Sequence, residues 1–203
     1  IGVGLKSEKI IKDGITAGEL ALDKAKDGKA KAYLHYCLAN GYTDLFELTE
    51  RIAAVVDRNI PQSENLWKAK QHLVSAASIE DIGDPGLTTQ LLVNLGNCLD
   101  TLGRSIEAID VYDEAISINK SFSMAIANRA KALRAFAEIS DKYRTAIYVE
   151  AYQDIQSVIN NPDLVAVGGQ SAKQAFEHEL HYIESRFQDN SLLKKKLKHP
   201  KYK

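Results

Sequence analysis

Two histidines three residues apart, His178 and His181 in the segment EHELH, come nearest in this sequence to a metal site. Side chains at i and i+3 share one face of a helix, so the pair could hold a metal ion together with an outside ligand. No cysteine or second histidine cluster lies near them, which favours an exposed polar helix face instead. Paired carboxylates such as Asp81 and Asp84 have no aligned acid or base partner. We therefore expect no bound metal and no catalytic residue.

Nucleophile and cofactor motifs are also missing from the sequence. It contains no GxxxxGK[ST], HExxH, GxSxG or dinucleotide-binding pattern, which argues against an enzyme and against a cofactor. Cys37 and Cys98 lie far apart inside helical patterns, and we expect both to be reduced and buried. His35 and His72 each stand alone in a helical pattern and are interpreted as packing or surface residues. A catalytic helical domain using His178 or His181 stays open as a minor alternative.

Charge is divided unevenly along the chain. The whole chain has a net charge of −1. Residues 194–203 contain six lysines and no acidic residue, so residues 1–193 carry a net charge of −7. Lys194, Lys195, Lys196 and Lys198 could attract nucleic acid or an acidic protein, but no arginine is interleaved with them. A solvated linker is the favoured interpretation. We therefore divide the chain into a helical domain, residues 1–190, and a lysine-rich tail or linker, residues 191–203.

The bulk properties suit a folded, helix-rich chain. With 203 residues and 45% hydrophobic residues it can bury a sizeable core. No apolar run approaches the roughly 18 residues that a membrane span needs, and the start IGVGLKSEKI is too short and too rich in lysine for a secretion signal. These features predict a cytoplasmic location and no membrane partner. The first residue is Ile, which is typical of a fragment trimmed from a longer protein.

One stretch, residues 89–122, contains a complete helix-turn-helix pattern. Gly103 interrupts the stretch because glycine readily takes the left-handed conformation that ends a helix. The small and large apolar residues on either side share one face of each helix at 3.6 residues per turn. In the first helix these are Leu92, Leu95, Gly96 and Leu99, and in the second they are Ala108, Tyr112 and Ala115.

This pattern resembles the tetratricopeptide repeat, which has Leu-Gly at positions 7 and 8, Ala at 20, an aromatic residue at 24 and Ala at 27 of about 34. Further copies begin near Ala32, where Ala39 takes the place of Gly96, and at Ser123, where Ala130 does. The resemblance implies an all-α fold: a short right-handed solenoid of helix pairs with insertions. Ser171 to Phe187 is expected to form a C-terminal capping helix, because an end repeat exposes apolar surface.

Local signals suggest where the other helices begin and end. Lys6 to Asp27 has helical periodicity, with Gly28 as the expected stop. Leu45 to Asp57 is expected to extend the second helix or to form a short extra one. Ser63 should cap a helix that runs to about Ile79, and Asp84-Pro85-Gly86 should start the next. Gly168-Gly169 is expected to form a loop.

In tetratricopeptide repeats the first helix of each pair lines an inner groove through positions 2, 5, 9 and 12. The resemblance therefore implies a site for a protein or peptide segment. Asn40 and Asn97 would hydrogen-bond to an extended backbone, although Asn at position 9 also serves helix packing. Lys131 and Arg134 would hold a carboxylate, and Tyr33 and Tyr36 would give apolar contact. The complete set of expected ligand-binding residues is Tyr33, Tyr36, Asn40, Asn97, Asp100, Lys131 and Arg134.

A narrower resemblance covers residues 32–151. Their order of motifs is similar to the amino-terminal repeat region of certain bacterial proteins that carry a HEPN domain further on. HEPN nucleases have an Arg, four residues and then a His, and no arginine of this chain is followed by His at that distance. The resemblance implies a sensing or regulatory module linked to an effector domain. The alternative function is nucleic-acid binding through the lysine-rich tail.

Overall fold

Helical spacing of apolar side chains produces helices throughout the computed structural model, which describes residues 7–52, 60–80 and 82–188. Within these ranges all regular structure is helical, so the predicted all-α class is confirmed there. The α-helices are α1 (Glu8–Lys24), α2 (Gly28–Leu45), α3 (Glu64–Ala77), α4 (Pro85–Thr101), α5 (Ser105–Ile118), α6 (Ser123–Ile139), α7 (Arg144–Ile159) and α8 (Pro162–Gln188). The described residues also contain a π-helical turn, Phe46–Glu50, and a 3₁₀ turn, Ile60–Gln62.

The chain divides into two compact units, residues 1–104 and 105–203. In the first unit α1 packs on α2, α2 on α3 and α3 on α4, with α2 also touching α4. In the second unit α5 packs on α6, α6 on α7 and α7 on α8, with α6 also touching α8. Because the division follows Arg104, the two helices of the stretch 89–122 belong to different units. The right-handed solenoid stays a prediction.

Two predicted helix starts and one predicted stop are confirmed. The side chain of Ser63 accepts a hydrogen bond from the backbone N–H of Leu66, and that of Asp84 accepts one from Leu87 at 3.0 Å. These contacts satisfy backbone donors that a first helical turn leaves unpaired. Gly103 has φ +78°, so it occupies the left-handed region that ends α4. Local side-chain chemistry therefore sets these boundaries.

Two of the expected breaks are wrong. Gly28 is the first residue of α2, because Asp27 caps that helix by accepting from the N–H of Ala30 at 2.7 Å. Gly168 and Gly169 lie inside α8, which runs from Pro162 to Gln188. Two glycines cost a helix only about 2 kcal/mol together, and α8 buries Phe176 and Ile183 in the core of its unit. Tertiary packing therefore outweighs the local helix-breaking tendency.

The apolar positions expected in the stretch 89–122 are all buried. They are Leu92, Leu95, Gly96 and Leu99 on α4, and Ala108, Tyr112 and Ala115 on α5. Phe46, in the π-helical turn that extends α2, is buried as well. That turn and Arg51-Ile52 confirm the expected extension in part, while residues 53–57 lie outside the described residues. Burial of one face of each helix supplies most of the stability that isolated helices lack.

Small residues let neighbouring helices approach closely in both units. A Cβ added at Gly41 of α2 would lie 2.9 Å from Cγ1 of Ile15, and one added at Gly18 of α1 would lie 2.9 Å from Cδ2 of Leu38. In the second unit the close contacts are made by alanines on α6 and α7. Ala127, Ala130, Ala137 and Ala151 are all fully buried there. Such close-packed contacts hold each helix at one distance from its neighbour.

Candidate functional site

An open cavity of about 270 Å³ in the first unit brings together two of the predicted ligand-binding residues, Asn40 and Asn97. Helix α2 and the turn after it supply one wall, α4 supplies the other, and α3 closes the base. The lining residues are Asn40, Thr43, Glu47, Leu66, Leu73, Asn94, Asn97, Cys98 and Thr101. Leu66, Leu73 and Cys98 are buried, so the base is apolar. The walls are polar.

Helical periodicity explains why these side chains converge. On α2 and its extension, residues 40, 43 and 47 are spaced i, i+3 and i+7, so they share one face. On α4, residues 94, 97 and 101 have the same spacing. The two polar faces meet because Asn94 donates from Nδ2 to Oδ1 of Asn40 at 3.0 Å. That bond spans 54 residues of sequence and joins α2 to α4.

The cavity offers both hydrogen-bond donors and acceptors. Gln90 Nε2 donates to Oδ1 of Asn94 at 3.1 Å, and Asn94 in turn donates to Asn40, so the chain of amides leaves the Nδ2 group of Asn40 as its terminal donor. The hydroxyls of Thr43 and Thr101 donate to carbonyls of their own helices at 2.9 and 2.8 Å and keep their lone pairs as acceptors. Asn40 thus joins α2 to α4 through its oxygen, and its Nδ2 group is the donor at the end of this chain of amides.

The aromatic pair predicted for the site lies further along the same helix. Tyr33, Tyr36 and Asn40 are spaced i, i+3 and i+7 on α2, and the two tyrosine rings have centroids 6.3 Å apart. Tyr33 is 57% exposed and Tyr36 is half-buried. Asp100 is half-buried on α4, one turn after Asn97. Five of the seven predicted residues therefore belong to α2 and α4 of one unit.

The other two, Lys131 and Arg134, lie on α6 of the second unit, whereas the cavity is formed within the first. Lys131 Nζ is 5.7 Å from the ring centroid of Phe176. Arg134 pairs with Glu138 at 3.1 Å and with the buried Glu179, and it also covers the ring of Tyr182. Arg134 does hold carboxylates, as its chemistry predicts. Those carboxylates belong to its own unit.

A second cavity, of about 360 Å³, opens between α1 and α2. It is mainly apolar: Ile10, Ile11, Ile15 and Leu38 line it together with Gly14, Gly18 and Gly41, and Cys37, Asn40 and Asp44 contribute polar groups. A Cβ built at Gly14 would meet no atom within 4 Å, so the absence of a side chain there leaves the space open. Asn40 lines both cavities and therefore lies between a polar and an apolar one.

One pair of titratable side chains was missed by the sequence analysis. His35 of α2 and His72 of α3 bring their Nδ1 atoms to 2.9 Å, and the ring of Tyr42 stacks on His72 at a centroid distance of 5.5 Å. Burial lowers the pKa of both histidines. Burial and a hydrogen bond donated to Glu19 raise the pKa of Tyr42 to about 12. Both histidines are packing residues, as expected, but they pack on each other.

The remaining candidates give no second site. His178 and His181 are exposed on α8. Within residues 7–52, 60–80 and 82–188, no group of three or more His, Cys, Asp or Glu side chains is arranged to hold a metal ion. Among the helices described, none is both long enough and apolar enough to cross a membrane. Asp81 and the tail lysines Lys194, Lys195, Lys196 and Lys198 lie outside the described residues.

Comparison of the chain with protein-family models, with curated proteins and with solved structures gave no match in any of the three. Any inference about function must therefore be made from the residues around Asn40. They form a concave site with an apolar base and a few convergent polar groups, which is the usual form of a binding pocket.

Proposed function

We propose that the chain is a non-catalytic helical module that binds an extended peptide segment of a partner protein. The main support for this proposal is that Asn40 and Asn97, on two different helices, line one open cavity. An extended peptide presents alternating N–H and C=O groups, and primary amides can pair with both. The repeat resemblance supports the same assignment, since positions 2, 5, 9 and 12 of α2 place Tyr33, Tyr36, Asn40 and Thr43 on one face.

The length of this face suits a peptide better than a compact small molecule. From Tyr33 to Thr43 the helix rises about 15 Å, which equals about four or five residues of extended chain. Tyrosine rings at one end offer apolar contact area with a polar tip. The amide cavity at the other end offers hydrogen bonds. Such a surface can hold the side chains and the backbone of one segment together.

The titratable groups that line the cavity support a binding role over a catalytic one. Burial raises the pKa of the Cys98 thiol to about 11, so the nucleophilic thiolate is suppressed near neutral pH. Glu47 pairs with Arg51 at 2.5 Å. Neither group has a histidine or lysine beside it among the cavity-lining residues, so no activated nucleophile is assembled. By its resemblance to repeat regions that precede HEPN domains, the module would serve as the sensing part of a larger protein.

Selection from a random peptide library displayed on phage tests this proposal. The full chain is the target, and an Asn40→Ala/Asn97→Ala variant is the comparison. We expect enriched peptides to bind the variant at least tenfold more weakly, while its circular dichroism spectrum stays unchanged. Asn160→Ala, which removes an exposed amide of the second unit, is the matched control. Equal binding to wild type and to the double variant contradicts the proposal.

A further inference from the structure

We propose that one aromatic side chain with a polar tip, a tyrosine or a tryptophan, anchors the peptide by entering the amide-lined cavity. This inference rests on the proposed function and specifies its ligand. The cavity has a volume of about 270 Å³. Pockets that enclose drug-sized ligands have roughly 300–1,000 Å³. The volume therefore suits one large side chain of a peptide better than a whole small molecule.

The lining of this cavity changes from apolar and buried to polar and accessible. At the base, Leu66 and Leu73 of α3 are 1% exposed and Cys98 of α4 is 5% exposed. A free cysteine that is buried in this way packs as a small apolar side chain. The uncharged polar residues of the lining are half-buried or exposed, and they are Asn40, Thr43, Asn94, Asn97 and Thr101. A side chain that fills the cavity therefore needs an apolar body and a polar end.

Hydrogen bonds within the lining decide which polar end fits. The hydroxyl groups of Thr43 and Thr101 donate to carbonyl groups of their own helices, so each offers a ligand an acceptor. Asn40 Nδ2 is the donor at the end of the chain of amides. An indole N–H or a phenolic O–H can donate to a threonine oxygen, and a phenolic oxygen can also accept from Asn40. Tyrosine and tryptophan thus match the base and the walls together.

Other side chains satisfy only part of this lining. Phenylalanine or an aliphatic side chain covers the base but leaves polar groups of the walls without water or a partner, which costs free energy. The side chains of asparagine and glutamine pair with the walls but bring little apolar surface to the base. Glu47 is the charged residue among those that line the cavity, and it pairs with Arg51. A cationic anchor would compete with that arginine, and an acidic anchor would be repelled by the carboxylate.

An aromatic anchor also suits the short length of the binding face. The face from Tyr33 to Thr43 accommodates about four or five residues of extended chain, so few side chains can contribute affinity. Tyrosine and tryptophan bury roughly 150–250 Å² each and lose little conformational freedom on binding. Residues of this kind supply much of the binding free energy in many interfaces. We therefore expect one aromatic residue to dominate the affinity of the peptide.

The displayed library and synthetic peptides test this inference. The peptides that depend on Asn40 and Asn97 should share one tyrosine or tryptophan. One such peptide is synthesised with a fluorescent label, and its binding to the full chain is measured by fluorescence anisotropy. Replacing the anchor with alanine should weaken binding about tenfold or more. Removing only its donor, with phenylalanine for tyrosine or benzothienylalanine for tryptophan, should weaken binding about fivefold.

Variants of the chain locate the anchor in the cavity. Thr43→Val/Thr101→Val keeps the shape of the lining and removes both hydroxyl acceptors. This variant should bind the peptide and its donor-free copy equally, because both changes remove the same interaction. Thr88→Val is the matched control, since Thr88 lies on α4 outside the lining and its hydroxyl donates to the carbonyl of Asp84 at 3.1 Å. The control should keep the preference of wild type for the donor.

Two outcomes separate this inference from the proposed function. Peptides that require Asn40 and Asn97 but contain no tyrosine or tryptophan whose replacement by alanine weakens binding overturn the anchor and leave peptide binding in place. Peptides that bind Asn40→Ala/Asn97→Ala as tightly as wild type overturn peptide binding at this cavity and the anchor with it. Equal affinity of the peptide and its donor-free copy for wild type also contradicts the inference. So does a preference for the donor that survives in Thr43→Val/Thr101→Val.

Discussion

His35 of α2 and His72 of α3 share a hydrogen bond between their Nδ1 atoms, 2.9 Å apart, although 37 residues separate them in sequence. One imidazole must donate and the other must accept, so the bond requires at least one neutral ring. Burial is the main cause that lowers both pKa values from 6.5, and Lys31 adds to the effect at His35. At His72 the charge of His35 also lowers the pKa, while Glu19 on α1 opposes it.

This pair predicts a loss of stability at mildly acid pH. As pH falls below 6.5, the unfolded chain binds protons before the folded chain does, so the free energy of unfolding decreases until pH passes the lower folded pKa values. The His35→Asn/His72→Asn variant keeps hydrogen-bonding groups but cannot titrate. Its free energy of unfolding in urea should therefore fall less between about pH 7 and pH 5 than that of wild type.

Asp154 titrates over an overlapping pH range and changes stability in the opposite direction. The effect of the histidines must therefore be taken from a comparison of the wild type with the histidine variant. Burial raises its pKa to about 6, which makes the folded chain bind a proton before the unfolded chain does and adds stability as pH falls. Both the wild type and the histidine variant contain Asp154. The difference between their pH profiles therefore isolates the histidines, and identical profiles would contradict the assignment.

Arg129 predicts a large effect on the stability of the second unit. Its side chain is 17% exposed, and its guanidinium pairs with Asp113 at 2.5 Å, Glu150 at 2.7 Å and Asp154 at 2.8 Å. Replacing it with methionine leaves three carboxylates close together, one of them largely buried. We expect Arg129→Met to lower the free energy of unfolding by about 3 kcal/mol, measured by urea denaturation.

A second substitution distinguishes an unpaired charge from lost packing. Arg129→Met/Asp154→Leu replaces the most buried ion pair with apolar groups, which often costs little. This double variant should recover most of the stability lost in Arg129→Met. Simple addition of two separate losses would show that the charge left on Asp154 is not the cause.

Replacing Gly14 and Gly41 with alanine should change the free energy of unfolding in opposite directions. Gly14 of α1 has open space at its Cβ position, so Gly14→Ala should raise the free energy of unfolding by about 0.5–1 kcal/mol through helix propensity. At Gly41 of α2 a Cβ would lie 2.9 Å from Cγ1 of the buried Ile15. Overpacking of that kind costs about 1–3 kcal/mol, so Gly41→Ala should lower stability. Urea denaturation of both variants checks the sign, and equal gains would contradict the tight α1–α2 contact.

The two cysteines should react at very different rates with a thiol reagent. Burial was expected for both, and it is wrong for Cys37, which is exposed. Cys98 is 5% exposed, and its Sγ donates to the carbonyl of Leu66 at 3.3 Å. The raised pKa of Cys98 suppresses its reactive thiolate further. With Ellman's reagent we expect Cys37 to react rapidly, and this rapid phase should be absent from the Cys37→Ser variant. Cys98 should react only when the first unit opens. Rapid reaction of the Cys37→Ser variant would contradict the burial of Cys98.

Helix boundaries were predictable where side chains act on the backbone beside them. Ser63 and Asp84 accept from N–H groups three residues on, and Gly103 has the positive φ that ends a helix. Gly28 was predicted to end α1, but it is the first residue of α2. Glycine is common just after a helix, and it also occurs directly after a capping residue, which here is Asp27. The glycines inside α8 show packing overriding a local preference.

The sequence indicates which residues of one helix share a face. It does not indicate which side chains of other helices those residues contact. Helical periodicity fixes which residues share a face with Asn40 on α2 and with Asn97 on α4, and these two asparagines line one cavity. The bond between Asn40 and Asn94 spans 54 residues, and the ion pair of Arg134 with Glu179 spans 45. Such contacts depend on the distance and rotation of packed helices. Spacing within a single helix carries no information about them.

The position of Asn40 between two cavities has a pharmacological consequence. One amide cannot serve an occupant on each side in full, so a small apolar compound lodged beside Gly14 would reach the same side chain that the proposed peptide would use. Such a compound would act as a competitive antagonist from the opposite side of α2, without entering the amide-lined cleft itself.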